Sequence, residues 1–314
     1  MVKRLSIVLC LLLAALQLQG QQEPDFSQYY DQVLMFNPGY AGAGGMADVS
    51  ALFRHQWSGI KGAPETMSLQ AQLPVNLRRA PGGVGLVLTS DEYAFNKNLN
   101  ISLAYAYHLP LFTGWLGLGL SAGMYQRKME ASWEFPGAGT SGGSGQDDAV
   151  PGQTASDGTF DASFGLYYET SAFYAGLSAL HLFEPDFVYT QTDEPLQRQY
   201  CVTAGYRLPL SNPVWEFIPS VFWRTDGNIS FFSGNCRFEY NKKFWCGVSY
   251  RQQDAVTGVV GLELSNGIRI GYAYDFPVSE LGRLSDGTHE FSVHYRFNIG
   301  RERNVYKYRS IRYL

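Results

Sequence analysis

The sequence His289-Glu290, which closely follows Asp286, is the first place where the residue types suggest chemistry. A histidine with two carboxylates can carry out acid–base catalysis or bind a metal ion. The sequence around these residues alternates between apolar and polar positions, as a β-strand does, and neighbouring side chains of a strand point to opposite faces. The side chains of His289 and Glu290 therefore cannot converge on one ligand, and we expect no acid–base or metal site here.

Other catalytic and nucleotide-binding motifs are weak or absent. The sequence contains neither an HExxH zinc motif nor a P-loop. Gly83–Gly85 and Gly117–Gly119 resemble part of a dinucleotide-binding motif, but each lies within a predicted strand and not at a strand-to-helix turn. The acidic pairs Asp91-Glu92 and Asp147-Asp148 lie in predicted loops, and no motif ties a serine to His55, which we place on the exterior. We therefore predict no enzyme, no catalytic residue, no cofactor and no metal.

Eight charged residues occupy polar positions of the alternating segments, and we predict that they face the interior of one closed sheet. They are Arg54, Arg207, Arg251, Glu263, Arg269, Asp275, Glu290 and Arg296. Two roles remain open for them. They form salt bridges that fill and rigidify the interior, each pair contributing modestly in a wet lumen, or they form a filter that selects solutes.

Alternation with a period of two defines the elements that position these charges. Between residues 268 and 276 every second residue is isoleucine, tyrosine or phenylalanine, and the residues between them are small or charged. Comparable segments predict about 14 strands along the chain. They lie near residues 47–57, 67–74, 82–90, 98–109, 115–130, 159–168, 172–182, 198–209, 215–224, 228–240, 243–252, 256–264, 267–276 and 287–298.

Strand length separates a membrane barrel from a soluble sandwich. Crossing a bilayer takes about 9–11 tilted residues, whereas strands of soluble sheets mostly have about five to six. The predicted strands match the longer class, and an even number places both ends of a barrel on the same side of the membrane. The predicted fold class is therefore all-β, a transmembrane antiparallel β-barrel.

The connections between the predicted strands alternate in length, which gives the barrel two different ends. The short connections are Pro110–Gly114, Glu169–Ser171, Leu210–Val214, Asn241-Lys242 and Ser265-Asn266, and the long ones are Ser58–Thr66, Ala131–Gly158, Phe183–Gln197 and Pro277–Asp286. We expect short periplasmic turns and long extracellular loops. Val75–Pro81 is long for its side, and Thr225–Gly227 and Gln253–Ala255 are short for theirs.

Composition excludes several other classes of protein. Beyond residue 20 no apolar run approaches the length of a transmembrane helix. Aromatic residues make up 15% of the chain and charged residues only 17%, which suits a barrel in lipid. A net charge of -4 argues against a nucleic-acid partner. The sequence contains no CxxC spacing, so Cys201, Cys236 and Cys246 indicate no zinc site, and their state stays open.

The chain divides into four parts. Lys3 and Arg4 precede a short apolar run, which predicts a signal peptide over residues 1–20 and hence export. Residues 21–45 are too irregular for a strand and either plug the lumen or lie on the periplasmic rim. Residues 46–299 form the barrel, and residues 300–314 form a basic, aromatic tail.

The tail carries five basic residues and three tyrosines in an otherwise acidic protein. The residues that we expect to project into the periplasm are Arg301, Arg303, Tyr306, Lys307, Tyr308, Arg309, Arg312 and Tyr313. Cationic residues can rest against anionic lipid head groups. Arginine and tyrosine also contribute strongly to protein interfaces, so the tail equally suits docking to a periplasmic partner.

Several motifs, in order along the chain, resemble one family. Phe26–Tyr29, Asn37–Gly42 and Phe53–Pro64 are similar to segments of the PorP/SprF family of outer-membrane proteins. Further similar segments are Tyr250-Arg251 with Asp254, Gly271–Asp275 and Gly287–Glu290. The family pattern usually has Asn-Pro-Ala-Tyr-Ala-Gly, and Gly39 stands here in place of that alanine.

The resemblance implies a role with the type IX secretion system and, in some members, with gliding motility. It implies location in the cell outer membrane and three kinds of partner: outer-membrane lipid, periplasmic secretion subunits and a secreted surface adhesin that the barrel helps to export or attach. It brings no catalytic residues. The alternative is a plugged or open diffusion pore, or an outer-membrane transporter of small hydrophobic molecules, because about 14 strands leave room for a lumen.

Overall fold

A closed antiparallel ring of strands dominates the computed structural model, which describes residues 23–77, 80–130, 154–187, 195–279 and 284–298. The predicted signal peptide, the pair Asp147-Asp148 and the tail residues 300–314 lie outside this part of the chain. With one exception described below, each strand pairs with the next one along the chain, and the last strand pairs with the first, from Ala47 opposite Phe297 to His55 opposite His289. The predicted antiparallel barrel is thus confirmed.

The ring has fourteen positions because two of its fifteen strands lie end to end beside the same neighbouring strand. The strands are β1 Ala47–His55, β2 Glu65–Leu77, β3 Ala80–Tyr93, β4 Asn96–Leu111, β5 Gly114–Met129, β6 Ala155–Glu169, β7 Phe173–Leu180, β8 Gln199–Tyr206, β9 Leu208–Pro209, β10 Trp215–Thr225, β11 Ser230–Tyr240, β12 Phe244–Arg251, β13 Ala255–Glu263, β14 Ile268–Pro277 and β15 Thr288–Phe297. Strands β8 and β9 share one position.

The alternating sequence produces an apolar exterior and a polar interior. On β1, Ser50 and Arg54 are buried, whereas Val49 and Ala51, on either side of Ser50, are exposed. Large apolar side chains elsewhere are exposed to a degree that would be costly in water; Leu103 is 66% exposed and Leu120 62%. Such a continuous apolar belt suits lipid contact.

The hairpin β2–β3 is longer than its sequence pattern indicates. The segment Val75–Pro81, predicted as a connection, belongs almost entirely to the two strands, which pair as far as Leu77 and Ala80. Pro74, Pro81 and the glycines after it interrupt the alternation, yet backbone pairing with a neighbouring strand does not require that alternation.

The pair Asp91-Glu92, predicted to lie in a loop, also belongs to β3. The Asp91 side chain is buried and accepts a hydrogen bond from Thr66 Oγ1 at 2.7 Å. The prediction failed because two acidic residues at a strand end resemble a turn, while the neighbouring strand supplies a hydroxyl donor that the local sequence does not reveal.

The two rims of the barrel differ. We call the rim where β1 begins the near rim, and the opposite one the far rim. The connections at the near rim are short, and none approaches the far-rim connections 130–154 and 181–198 in length. The described cysteines, Cys201, Cys236 and Cys246, form no disulfide.

Residues 23–45, hereafter the inner segment, lie inside the ring. They form short helical turns at Tyr29–Asp31, Val33–Phe36, Pro38–Tyr40 and Ala43–Gly45. Glu23 contacts His181 at the far rim, and the backbone at Gly42 lies against β3 at the near rim. The segment therefore runs through the lumen from the far rim to the near rim before β1 begins. None of the helices in the described residues is long and apolar enough to cross a bilayer.

Candidate functional site

Glycines on the inward face of the barrel wall allow the backbone of the second half of the inner segment to pack closely against the strands. A Cβ added to Gly119 would stand 2.2 Å from the backbone nitrogen of Gly39, and one added to Gly83 would stand 2.2 Å from the carbonyl oxygen of Ala41. Any side chain at these positions would displace the backbone opposite. The Gly-x-Gly patterns of β3 and β5 therefore serve a close backbone approach.

Asn37 fixes the turn that follows it to the wall. Its Nδ2 donates hydrogen bonds to the carbonyl oxygens of Leu166 at 2.9 Å and Leu177 at 3.3 Å, on the adjacent strands β6 and β7. Its Oδ1 accepts a hydrogen bond from the amide of Gly39 at 2.9 Å. Asn37 is fully buried, so this one amide side chain joins the Asn-Pro-Gly-Tyr-Ala-Gly turn to two strands.

A buried cluster of charges holds the first half of the inner segment. Arg54 Nη2 lies 2.9 Å from Asp275 Oδ2, and Arg54 Nη1 lies 3.0 Å from Glu290 Oε2. Arg251 also forms an ion pair with Asp275. These four side chains come from β1, β12, β14 and β15, and we call them the seam cluster.

The inner segment binds directly to the acidic members of the seam cluster. The backbone amides of Ser27 and Gln28 donate to the Glu290 carboxylate at 2.9 and 2.8 Å. Ser27 Oγ donates to Asp275 Oδ1 at 2.6 Å. Hydrogen bonds from several donors to a buried carboxylate stabilise its charge. The seam cluster therefore links the barrel wall to the inner segment.

The remaining predicted interior charges divide into two groups. Arg207 pairs with Glu169 at 2.6 Å and Arg296 with Asp48 at 2.9 Å, both towards the near rim. Arg269 lies near the same rim, whereas Glu263 takes part in no ion pair within the described part of the chain. The structure thus brings Arg54, Arg251, Asp275 and Glu290 together, places Arg207, Arg269 and Arg296 around a second region, and leaves Glu263 apart.

Several interior residues were missed by the sequence analysis. Arg224 on β10 forms an ion pair with Asp25 of the inner segment, and its Nη2 donates to the carbonyl oxygen of Glu23 at 3.1 Å. Arg237 on β11 is likewise buried. Both arginines alternate with outward aromatic residues, so the period-two pattern contained the signal that identifies them.

His181 forms a third buried contact of the inner segment. Its Nδ1 lies 2.8 Å from Asp161 Oδ2, and its Nε2 lies 3.3 Å from Glu23 Oε1. Burial alone would lower the pKa of His181, but the hydrogen bond with Asp161 and the charge of Glu23 outweigh that effect and raise the pKa to about 9. His181 is therefore protonated at neutral pH.

The acidic residues of the inner segment respond differently to burial. Burial raises the pKa of Asp25, although the positive charge of Arg224 acts in the opposite direction. Burial would also raise the pKa of Asp31, but the charges around it, Arg269 foremost, bring it below its usual value.

The described residues show no arrangement suited to hydrolysis or metal binding. His289 contacts the Tyr272 hydroxyl on the exterior at 2.8 Å, while Glu290 points inward. Ser121 lies at the centre of a Gly-x-Ser-x-Gly pattern, but within β5 and not at the strand-to-helix turn that presents a nucleophile; the same pattern at residues 139–143 lies outside the described residues. His181 Nε2 faces Glu23 and not a serine. No cluster of metal-ligating side chains occurs in this part of the chain.

A closed ring of long antiparallel strands with an apolar exterior and a filled polar interior is the architecture of an outer-membrane β-barrel. The family model described as type IX secretion system membrane protein PorP/SprF matches residues 18–295. The chain belongs to this family, and it is an outer-membrane component of type IX secretion.

Solved structures that match this chain share little of its sequence. Omp33 of Acinetobacter baumannii shares 8% identity over 80% of this chain and 98% of its own, with a TM-score of 0.47. The toluene transporter TodX of Pseudomonas putida shares 10% identity over 84% and 91%, with a TM-score of 0.44. Outer membrane phospholipase A of Escherichia coli shares 10% over 80% and 97%, with a TM-score of 0.38. At these values none of the three carries an argument about function. No curated protein matches the chain by sequence.

Proposed function

We propose that this protein is a non-enzymatic, plugged barrel that supports the export or surface attachment of adhesins secreted by the type IX system, including adhesins of gliding motility. In this role the barrel is a fixed platform in the outer membrane. Its rims contact the secreted adhesin on one side and periplasmic secretion subunits on the other.

The observation that carries the proposal is the attachment of the inner segment to the seam cluster. Four buried charged side chains from four strands bind one another and the backbone of Ser27 and Gln28. Removing one member of such a cluster leaves a buried charge without its partner, which is strongly unfavourable. A segment held in this way favours a stable platform over a passage that opens for each solute.

The alternative of a diffusion pore or small-hydrophobe transporter is less well supported. The inner segment occupies the lumen, and Phe187 and Leu196 of a far-rim connection are buried against Tyr125. The feature in favour of a pore is a chamber of about 310 Å³ at the near rim, but the inner segment separates it from the far rim.

Deletion of the gene, followed by measurement of surface adhesin and secreted type IX cargo, tests the proposal. We expect loss of attachment or export of at least one adhesin, with restoration by the wild-type gene. A chain with His55→Gln, which alters only an exterior ion pair, serves as the matched complementation control. Unchanged secretion and attachment of every type IX cargo would contradict the proposed role.

A further inference from the structure

The chamber near the near rim lies between the inner segment and strands β10, β11 and β14. Its volume is about 310 Å³, and its lining extends to Lys242, an exposed residue of a near-rim turn. Solutes on that side of the membrane therefore reach it without passing the inner segment. Four arginines line it, Arg207, Arg237, Arg269 and Arg296.

Arg237 lacks the partners that a buried guanidinium normally has. It is 9% exposed, and its Nε and Nη1 have no hydrogen-bond partner within the described residues. One face of the guanidinium is covered by the ring of Tyr30, whose centroid lies 4.2 Å from Cζ. The stacked ring accounts for the position of Arg237 but leaves these two donors without a partner.

Arg269 repeats this arrangement on the other side of the chamber. Its Cζ lies 3.9 Å from the centroid of the Trp245 ring, and its Nε and Nη2 have no hydrogen-bond partner within the described residues. The nearest acidic oxygen, on Asp31, lies 3.7 Å from Nη2, beyond hydrogen-bond distance. Arg207 and Arg296, which also line the chamber, differ because each has a close carboxylate partner.

Two buried arginines with covered faces and unpartnered donors are suited to bind an oxyanion, and the Nε and Nη2 of Arg269 lie on one edge of its guanidinium. A planar guanidinium edge donates two parallel hydrogen bonds to a carboxylate or phosphate group, and such charge-assisted bonds are the strongest that the side chain forms. We propose that the chamber binds the oxyanion group of a ligand, a carboxylate or a phosphate, between Arg237 and Arg269.

Three of the acidic residues that line the chamber, Asp31, Asp48 and Glu169, pair with arginines, and the other two restrict which ligands fit. Glu216 and Glu239 lie directly opposite each other on β10 and β11 and line the chamber nearer the rim than Arg237 does. Neither takes part in an ion pair within the described residues, so both repel a second negative charge at the entrance. The ligand therefore carries one anionic group at its leading end and a neutral or basic remainder.

Isothermal titration of the purified full-length chain in an uncharged detergent tests this site. The two probes are inorganic phosphate and the amide of N-acetyl-aspartic acid, which carries a single carboxylate. We expect saturable binding of at least one probe with one site per chain. Arg237→Gln and Arg269→Gln should each weaken it about tenfold or more, and Arg237→Lys should weaken it less because the charge remains while the planar donor edge is lost.

Lys242→Gln is the matched control, since it removes the same charge from the chamber entrance but no buried donor. We expect it to change the affinity less than about threefold, as an exposed charge does. The preferred probe identifies the source of the oxyanion, a protein carboxylate or a free phosphate. Binding that does not saturate, or equal affinity of wild-type and Arg237→Gln chains that both remain folded, would overturn the proposal. If the glutamine variants do not fold, Arg237→Lys decides, because it keeps the buried charge but loses the planar donors. Unchanged affinity of that variant would then overturn the proposal.

Discussion

Arg54 on the first strand and Glu290 on the last are register partners, and their side chains form an ion pair at 3.0 Å inside the barrel. This pair lies across the seam where the ring closes. Because Glu290 also accepts hydrogen bonds from the amides of Ser27 and Gln28, the contact that joins the two ends of the sheet also binds the inner segment.

Replacing Arg54 by methionine should destabilise the barrel by about 3–5 kcal/mol, because Asp275 and Glu290 then lose a buried positive partner. The free energy of unfolding, measured in urea in detergent micelles, checks this value. His55→Gln on the exterior should cost less than about 1 kcal/mol, as exposed pairs do. Equal stability of the two variants would show that the seam cluster adds no more to the free energy of unfolding than an exposed ion pair does.

Replacing Gly119 by valine should displace the inner segment while leaving the strand ladder intact. The added Cβ would stand 2.2 Å from the Gly39 nitrogen, so the turn around Asn37 could no longer sit on the wall. Limited proteolysis should then cleave within residues 23–45. Gly258→Val is the control, since a Cβ there meets nothing within 4 Å. If residues 23–45 of the Gly119→Val chain stay fully protected from the protease, the close packing at Gly119 is not what holds the inner segment.

The barrel should lose stability in alkali through His181. Its pKa is raised from 6.5 to about 9 in the folded chain. The contribution of His181 to the free energy of unfolding is therefore complete below pH 6.5 and is lost as the pH rises through about 9. The shift corresponds to about 3 kcal/mol. Unfolding free energies at pH 6 and pH 10 should differ by roughly that amount more in the wild type than in His181→Gln. The same pH dependence in both chains would exclude His181 as its source.

Purified wild-type barrel should be electrically silent in a planar bilayer. The inner segment fills the lumen, and a chain lacking residues 23–45 should conduct if it still inserts. A gel shift on heating identifies folded barrel in both preparations. Steady current through the wild-type chain, equal to that of the deletion, would favour the pore over the platform.

Truncation after Ile299 should leave a membrane-inserted barrel that no longer co-purifies its periplasmic secretion subunit. The hypothesis rests on the sequence of the tail, with its interleaved arginines and tyrosines. If truncation instead lowers the yield of barrel while every surviving molecule keeps its partner, the tail serves membrane insertion or lipid contact and not docking.

The sequence predicts the ring of strands more completely than it predicts the contacts inside the ring. Lipid on one side and a polar interior on the other impose a period of two, and that period predicted the strands and about half of the buried charged residues of the wall. It failed in β2–β3, where Pro74 and Pro81 break the pattern although pairing continues.

The contacts of the inner segment could not be predicted in this way. The amide of Ser27 binds Glu290, which lies 263 residues away in the sequence. Asp25 binds Arg224, which lies 199 residues away. No local pattern encodes such distances. The motifs of the family resemblance include both Phe26–Tyr29 and Glu290. They do not indicate that these residues bind each other.

The position of the inner segment has a consequence for biogenesis. The segment precedes β1, yet the carboxylate that binds its amides belongs to β15, the last strand to leave the ribosome and the export machinery. A partly assembled sheet therefore lacks one of the contacts that bind its own N-terminal segment. The segment can already bind to β3, β5, β6, β7 and β10. The amides of Ser27 and Gln28 are bound only when the final strand has joined the sheet, so this contact forms only in a complete barrel.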